Sequence, residues 1–210
     1  MEKILAFFGA FNPPTTAHIA LAEKAVRDTG SDGAMFVLSK ANYITDNQGK
    51  DFAFDDDERV ELLNRIASTR PWMRVCDWEL KQQTQPRTYI TLCHLRDEGY
   101  TPRLLIGSDK LAEIGEKWRY VDEMLSEFGI VCIERGGDDC RAIIDASERL
   151  TRYSERITLV SGPDELRHVS SSLVRDKLRC ISARMQELAG LVPPETVDSI
   201  LYNYMKEDAK

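Results

Sequence analysis

The sequence has little of what many chemistries depend on. Its 210 residues include three histidines, three tryptophans and five cysteines. Cys76, Cys93, Cys132, Cys140 and Cys180 are scattered and odd in number, with no C-x-x-C pair and no histidine at zinc-finger spacing. That excludes a zinc ribbon and a disulfide framework and leaves reduced thiols of a cytosolic protein. No run approaches the roughly 18 apolar residues of a membrane span, and the N-terminal MEKILAFF is too short an apolar stretch for a signal peptide. The expectation is a soluble, cytoplasmic protein. Positive charge is not in excess: 28 Lys and Arg face 35 Asp and Glu, a net charge of −7. Broad binding to nucleic acid or a membrane surface is thereby excluded. A small polyanion is not, because a few helix N-termini and cations make a positive pocket on an acidic protein. Neither a Walker loop nor a G-x-G-x-x-G fingerprint occurs. Repeats, low-complexity tracts and linkers are also lacking. The expectation is therefore one domain, residues 1–210, with a C-terminal helical segment from about residue 170.

What is present is an alternation. Short apolar runs rich in branched and aromatic residues predict strands over 3–8, 34–39, 72–77, 103–106, 130–134 and 156–160. Helical patterns fall between or after them at about 16–28, 55–68, 88–96, 109–128, 139–153, 171–180 and 194–205. This implies βαβ units and an α/β fold: a Rossmann-like, doubly wound, mostly parallel sheet with helices on both faces. Ligands of such sheets bind beyond the carboxyl ends of the strands, where the strand order reverses. The longest irregular stretch, 40–54, is polar, and loops of that length are often functional.

Two stretches carry the chemistry. In "GAFNPPTTAH", residues 9–18, Gly9 and Ala10 let the backbone come close to a ligand, and Pro13 and Pro14 stiffen the loop. Thr15 or Thr16 is suited to cap the helix that carries Ala17, His18 and Ile19. Unsatisfied N–H groups, a positive dipole end and an imidazole in the first turn make a phosphate site. A structural histidine at a helix start is the rival reading. The second stretch, "HVSSSLVRDKL", residues 168–178, opens a helix with three serines and places Arg175 three residues after Ser172, on about the same face. Hydroxyls and helix N–H groups suit phosphate oxygens, and the guanidinium reaches others bidentately. The rival here is an ordinary serine cap with a surface arginine.

The first stretch resembles the G-x-F-x-P-x-H-x-G-H loop of the nucleotidyltransferase superfamily, and "VSSSLVR", residues 169–175, resembles its I-S-S-T-x-x-R motif. "LLIGSDKLAEIGEKWRYVDEM", "LKQQTQPRTYITL" and "LVPPETVDSILYNYM" resemble segments of one branch, the nicotinate/nicotinamide mononucleotide adenylyltransferases. The resemblance covers nearly the whole chain. It implies attack of a mononucleotide 5′-phosphate on the α-phosphorus of ATP, with loss of pyrophosphate and no covalent intermediate. By the same resemblance Gly9, Ala10 and Phe11 line the ATP site, and His18 contacts the α- and β-phosphates. Thr15 stands where many relatives have a first histidine, while Ser171, Ser172 and Arg175 hold the β- and γ-phosphates. Asp109 binds a ribose hydroxyl, Thr88 and Trp118 form the pyridine pocket, and Lys50 takes the mononucleotide phosphate. Mg²⁺ accompanies ATP, held mainly by phosphates and water.

Several alternatives stay open. Trp118 also suits a core position, Asp109 a helix cap, Trp78 the ring contact and Lys40 the role of Lys50. Arg59 either assists or pairs with an acidic neighbour. The run 55–58 reads as a helix N-terminus stabilised by its dipole rather than a metal site. Thr15, Ala17 and Phe8 depart from the family pattern, and Arg87 stands where a tyrosine is frequent, so the preference between acid and amide is open. The competing functions are the same chemistry on another phosphate acceptor, such as a phosphopantetheine, and a silent nucleotide-binding module. Oligomeric state is not legible, and a homo-oligomer is compatible with the sequence.

Overall fold

The branched and aromatic runs form the strands of one sheet. They are β1 (Glu2–Gly9), β2 (Gly33–Leu38), β3 (Met73–Cys76), β4 (Tyr100–Gly107), β5 (Ile130–Glu134) and β6 (Ile157–Ser161). A computed structural model describes residues 1–43, 54–134, 138–162, 164–179 and 185–208. The strand order is β3-β2-β1-β4-β5-β6, the doubly wound order, and it reverses between β1 and β4. β1 pairs with β4, β4 with β5 and β5 with β6, all in parallel. All of β2 and the first four residues of β5 are buried, as continuous apolar runs in covered parallel sheets must be. The α/β reading is therefore the architecture that forms.

The helices are α1 (Thr16–Thr29), α2 (Asp56–Ala67), α3 (Thr88–Asp97), α4 (Ser108–Lys117), α5 (Val121–Glu127), α6 (Cys140–Ala146), α7 (Glu148–Arg152), α8 (Ser171–Arg179), α9 (Met185–Leu188) and α10 (Val197–Asp208). Two segments that read as continuous helices are broken. The pattern over 109–128 stops at Lys117: Trp118 has extended backbone, and Tyr120 takes a left-handed conformation (φ 60°) before α5 starts. The pattern over 139–153 breaks at Ser147, whose hydroxyl accepts the Leu150 N–H at 3.3 Å and so caps α7.

The chain divides into two compact units. One comprises Met1–Phe8, Leu21–Met35 and Pro86–Asp164; the other comprises Gly9–Ala20, Phe36–Gln85 and Glu165–Lys210. In the first, α3 and α4 pack on β4, and α4 also packs on β5 and α6. The second has its own apolar core, in which Phe54, Leu62, Val174, Leu178, Leu188, Val192, Val197 and Ile200 are buried together. Each such side chain contributes about 1.5–3 kcal/mol on burial. Val174 and Leu178 project from one side of α8, so this core fixes the rotation of the helix that begins with Ser171. No helix of the described residues is long and apolar enough to cross a membrane.

Candidate active site

β1 ends at Gly9, and the chain turns sharply at Phe11, which holds φ at +43°, a left-handed value unusual for an aromatic residue. Such a conformation costs about 1–3 kcal/mol and persists only where the surroundings over-determine it. They do so here. A Cβ at Gly9 would lie 2.9 Å from the tip of the Phe11 ring, so the ring occupies the space that a side chain there would need. The ring also packs edge-on to His18 and against Phe36, with centroids 5.3 and 5.2 Å apart. Gly9 thus admits Phe11 rather than simply baring backbone to a ligand.

Donors from elsewhere in the same unit then bind the loop's carbonyl groups one after another. Gly9 O accepts the Ser39 N–H at 3.1 Å, Ala10 O accepts Arg59 NH1 at 2.7 Å, Asn12 O accepts Arg175 NH1 at 2.8 Å, and Pro13 O accepts the Ser171 hydroxyl at 2.8 Å. The Asn12 side chain accepts the Phe54 N–H at 3.0 Å, and Asn12 is fully buried. The two stretches that read as separate phosphate candidates are therefore joined by direct bonds. Arg175 is buried, only 8% exposed, and its NH2 donates to Ser172 Oγ at 3.1 Å. It acts first as a staple between α8 and the loop. Ser170 caps α8, accepting the Leu173 N–H at 3.1 Å.

At the start of α1, Thr15 is the cap, and its side chain is buried. Its Oγ1 accepts the His18 N–H at 3.3 Å and lies 2.8 Å from His18 Nδ1, while the Thr15 N–H donates to the same Nδ1 at 3.1 Å. A backbone N–H can only donate, so Nδ1 accepts and the proton of the neutral ring sits on Nε2. His18 is built to donate from Nε2. The open cradle of N–H groups expected here is instead partly filled by the protein. Thr15 N–H goes to the imidazole, His18 N–H to the Thr15 hydroxyl, and Thr16 N–H to Leu191 O at 3.0 Å. Thr16 Oγ1 also donates to Gly190 O at 2.6 Å. The helix end contributes its dipole and the placed imidazole more than bare amides.

Two other cations of this unit have structural partners. Arg59 is fully buried and bonds Phe54 O, Ala10 O and Asp56. Burial pushes its guanidinium down from the usual arginine value, and Asp56 and Asp55 pull it back. The Lys40 ammonium donates to Leu80 O and, at 2.7 Å, to Gln82 O, tying down the turn Trp78–Lys81. Two backbone carbonyls thus take up the rival to Lys50. Lys50 itself lies outside the described residues. Glu58 Oε2 accepts the Asp55 N–H at 3.0 Å at the start of α2, in keeping with the helix-terminus reading of the acidic run.

The remaining candidates lie in the first unit. Asp109 is exposed in the first turn of α4, two residues past the end of β4, with Lys110 Nζ at 4.0 Å; Gly107, not Asp109, is the cap. Thr88 is half-buried as the first residue of α3, and Trp118 is half-buried at the end of α4, outside the buried core. No hydrogen bond or ring contact joins these three to one another among the described residues. Sequence reasoning passed over Asn12 and underrated Arg59. The available signals were an amide next to Pro13 and an arginine that opens the otherwise apolar face of α2 formed by Leu62, Leu63 and Ile66.

A model of the cytidylyltransferase-like family matches residues 6–177, from β1 to α8, and takes in both motif stretches. The chain belongs to the cytidylyltransferase-like family. This cytidylyltransferase-like protein is 28% identical over 195 residues to a nicotinamide/nicotinic acid mononucleotide adenylyltransferase of Arabidopsis thaliana, covering 85% of this chain and 79% of that one. Among solved structures, it is similar to a nicotinic acid mononucleotide adenylyltransferase of Plasmodium falciparum complexed with APC or with NaAD. The TM-scores are 0.76 and 0.75, at 20% identity with 98% of each chain covered. At that identity the structural likeness speaks for the fold, which the strand order already gives.

Proposed function

We propose that this protein joins ATP and nicotinate or nicotinamide mononucleotide, giving deamido-NAD or NAD and pyrophosphate. The observation that carries this reading is the bonding of Ser171 and Arg175 on α8 to the loop whose end orients His18. The names borne by the relatives support the choice of acceptor.

The attacking mononucleotide phosphate is already an anion, so the reaction needs positioning and charge stabilisation rather than a strong base. His18, with Nδ1 accepting from Thr15, presents Nε2–H to the α- and β-phosphate oxygens. There it stabilises the charge that builds as the pyrophosphate leaves. The first turn of α8, with Ser171 and Ser172, holds the outer phosphates. Arg175 fixes that turn against the loop and adds positive charge behind it. Gly9, Ala10, Phe11 and Thr15 shape the ATP side, and Asp109 takes the ribose. Thr88 and Trp118 take the pyridine ring, with Lys50 on the mononucleotide phosphate. The described residues contain no group of three or more His, Cys, Asp or Glu side chains able to hold a metal. Mg²⁺ enters with the phosphates of ATP, held mainly by them and by water. A cytoplasmic location and a single functional domain complete the proposal.

The test is a side-by-side assay with ATP, Mg²⁺ and each pyridine mononucleotide, following both pyrophosphate and dinucleotide. Product from at least one of them is expected. Absence of product from both, with pyrophosphate released over another phosphate acceptor, would reassign the substrate.

A further inference from the structure

The first unit holds a cavity of about 550 Å³ that none of the proposed chemistry uses. It lies at the N-terminal ends of β4, β5 and β6, where Tyr100, Gly129 and Thr158 line it, at the opposite end of β4 from Gly107 and Asp109. β4 spans eight residues, about 23 Å from end to end at the usual strand rise. Two arginines define the cavity. Arg103 NH2 donates to Ile130 O at 3.0 Å and to Thr158 Oγ1 at 2.8 Å; Arg156 donates through Nε to Leu125 O at 3.3 Å and through NH2 to Glu127 O at 3.2 Å. All four partners are neutral. Among the described residues neither guanidinium forms an ion pair.

The carboxylates nearby do not change this. The Glu127 side chain is held by Tyr89 and Arg96, each at 2.8 Å, and Arg96 also lies over the Phe128 ring. Glu155 lines the cavity but pairs with neither arginine. Arg103 is half-buried, and burial followed by the neighbouring Arg156 charge pushes its guanidinium down from the usual arginine value. A half-buried cation beside another cation, with only carbonyl and hydroxyl partners, is short of negative charge. Geometry keeps the place open. Gly129 has φ +71°, and a Cβ there would stand 2.9 Å from Arg156 O and 3.7 Å from Arg103 Nε. A side chain at this position would crowd the edge of Arg103 that makes no internal bond.

We propose that Arg103 and Arg156 form a second binding site for a small phosphoryl anion, separate from the adenylyl-transfer site. Two guanidinium forks suit the oxygens of a phosphate or pyrophosphate group, and Thr158 adds a hydroxyl beside them. The cavity volume lies within the usual range for small-molecule sites, so the anion has room to be part of a larger phosphorylated solute.

The test is a titration of the isotope-labelled full chain by nuclear magnetic resonance, reading the Gly129 and Thr158 amide signals and the Arg103 Nε–H signal. The probes are pyrophosphate, inorganic phosphate and AMP, each against chloride at equal ionic strength. Saturable shifts with at least one phosphoryl probe and not with chloride are expected, with binding weakened about tenfold or more in Arg156→Gln. Arg156→Lys keeps the charge without the fork and is expected to fall between the two. Arg156 is exposed, so its replacement is expected to lower stability somewhat, through the Leu125 and Glu127 carbonyls it serves, while leaving the fold and the basal adenylyl-transfer rate unchanged. Signals that stay still, or that move equally in Arg156→Gln or with chloride, would overturn the proposal. Because the readout is local to this cavity, either result is independent of whether the chain transfers adenylyl groups.

Discussion

Replacing Thr15 with valine removes one hydroxyl and keeps the side-chain volume. Thr15 is fully buried, and its hydroxyl does two things: it accepts the His18 N–H at 3.3 Å and lies 2.8 Å from His18 Nδ1. Losing a helix cap costs about 0.5–2 kcal/mol. Leaving a buried donor without a partner costs about 1–3 kcal/mol. These describe largely the same event, so a net loss of about 2 kcal/mol is expected for Thr15→Val. With an unfolding entropy near 0.4 kcal/mol/K for a chain of this length, the midpoint falls by about 4–5 °C. The rate should fall as well, but less than if His18 were lost. The Thr15 backbone N–H survives the substitution and continues to donate to Nδ1, so the Nε2–H tautomer persists while the ring loses its second tether. One orienting hydrogen bond of about 1–1.5 kcal/mol is about a tenfold loss in kcat. Scanning calorimetry and steady-state kinetics on Thr15→Val and Thr15→Ser test this together. Serine keeps the oxygen and should stay within about threefold of the parent rate. A valine variant that matches the parent in both measurements, or a serine variant as slow as valine, would refute the assignment of Thr15 as cap and positioning residue.

Three further outcomes are expected. His18→Ala should lower kcat by about 10²–10³, the usual cost of losing one donor to a developing charge, with a smaller change in KM for ATP. Lys40→Met leaves two backbone carbonyls without their donor, so denaturant titration should show a loss of about 1–3 kcal/mol, with the KM for the mononucleotide little changed; Lys50→Met should raise that KM. Burial pushes the Cys132 thiol up from an ordinary value of 9.0. The unfolded chain therefore releases this proton from about pH 9 while the folded chain keeps it, and stability should fall as pH rises beyond that point, by up to about 1.4 kcal/mol per pH unit. Cys132→Ala should flatten that alkaline limb in denaturant titrations, whatever its overall stability; an unchanged slope would show that the thiol does not carry it.

How much was legible depends on whether a feature is written in local pattern or in long-range bonding. The strands were legible because a covered parallel strand must be a short continuous apolar run, and "IVCIE" or "GAMFVL" has few other uses. The division of the helices was less so. Ser147 is a conventional cap and its signal was available, but Tyr120 enters the left-handed region without the glycine or asparagine that usually marks such a turn. The site shows the same contrast more sharply. The residue types that suit phosphate, Thr15, His18, Ser171, Ser172 and Arg175, stand out by composition at two helix starts. Their division of labour does not, because it is set by partners far along the chain. Arg175 reaches Asn12 across 163 positions, Ser171 reaches Pro13 across 158, and Thr16 reaches Gly190 across 174. A sequence pattern treats every polar side chain at a helix start as available to a ligand; folding first spends several of them on the loop's own carbonyl groups. That order has a mechanistic consequence. A phosphate site must hold its donors still before the anion arrives, since donors that reorganise during reaction stabilise the transition state less. In the proposed reaction, the bonds from Arg59, Arg175 and Ser171 to the loop hold in place the segment that leads to His18, so that the proposed donor sits on more than the proline-stiffened turn that the segment is when read alone.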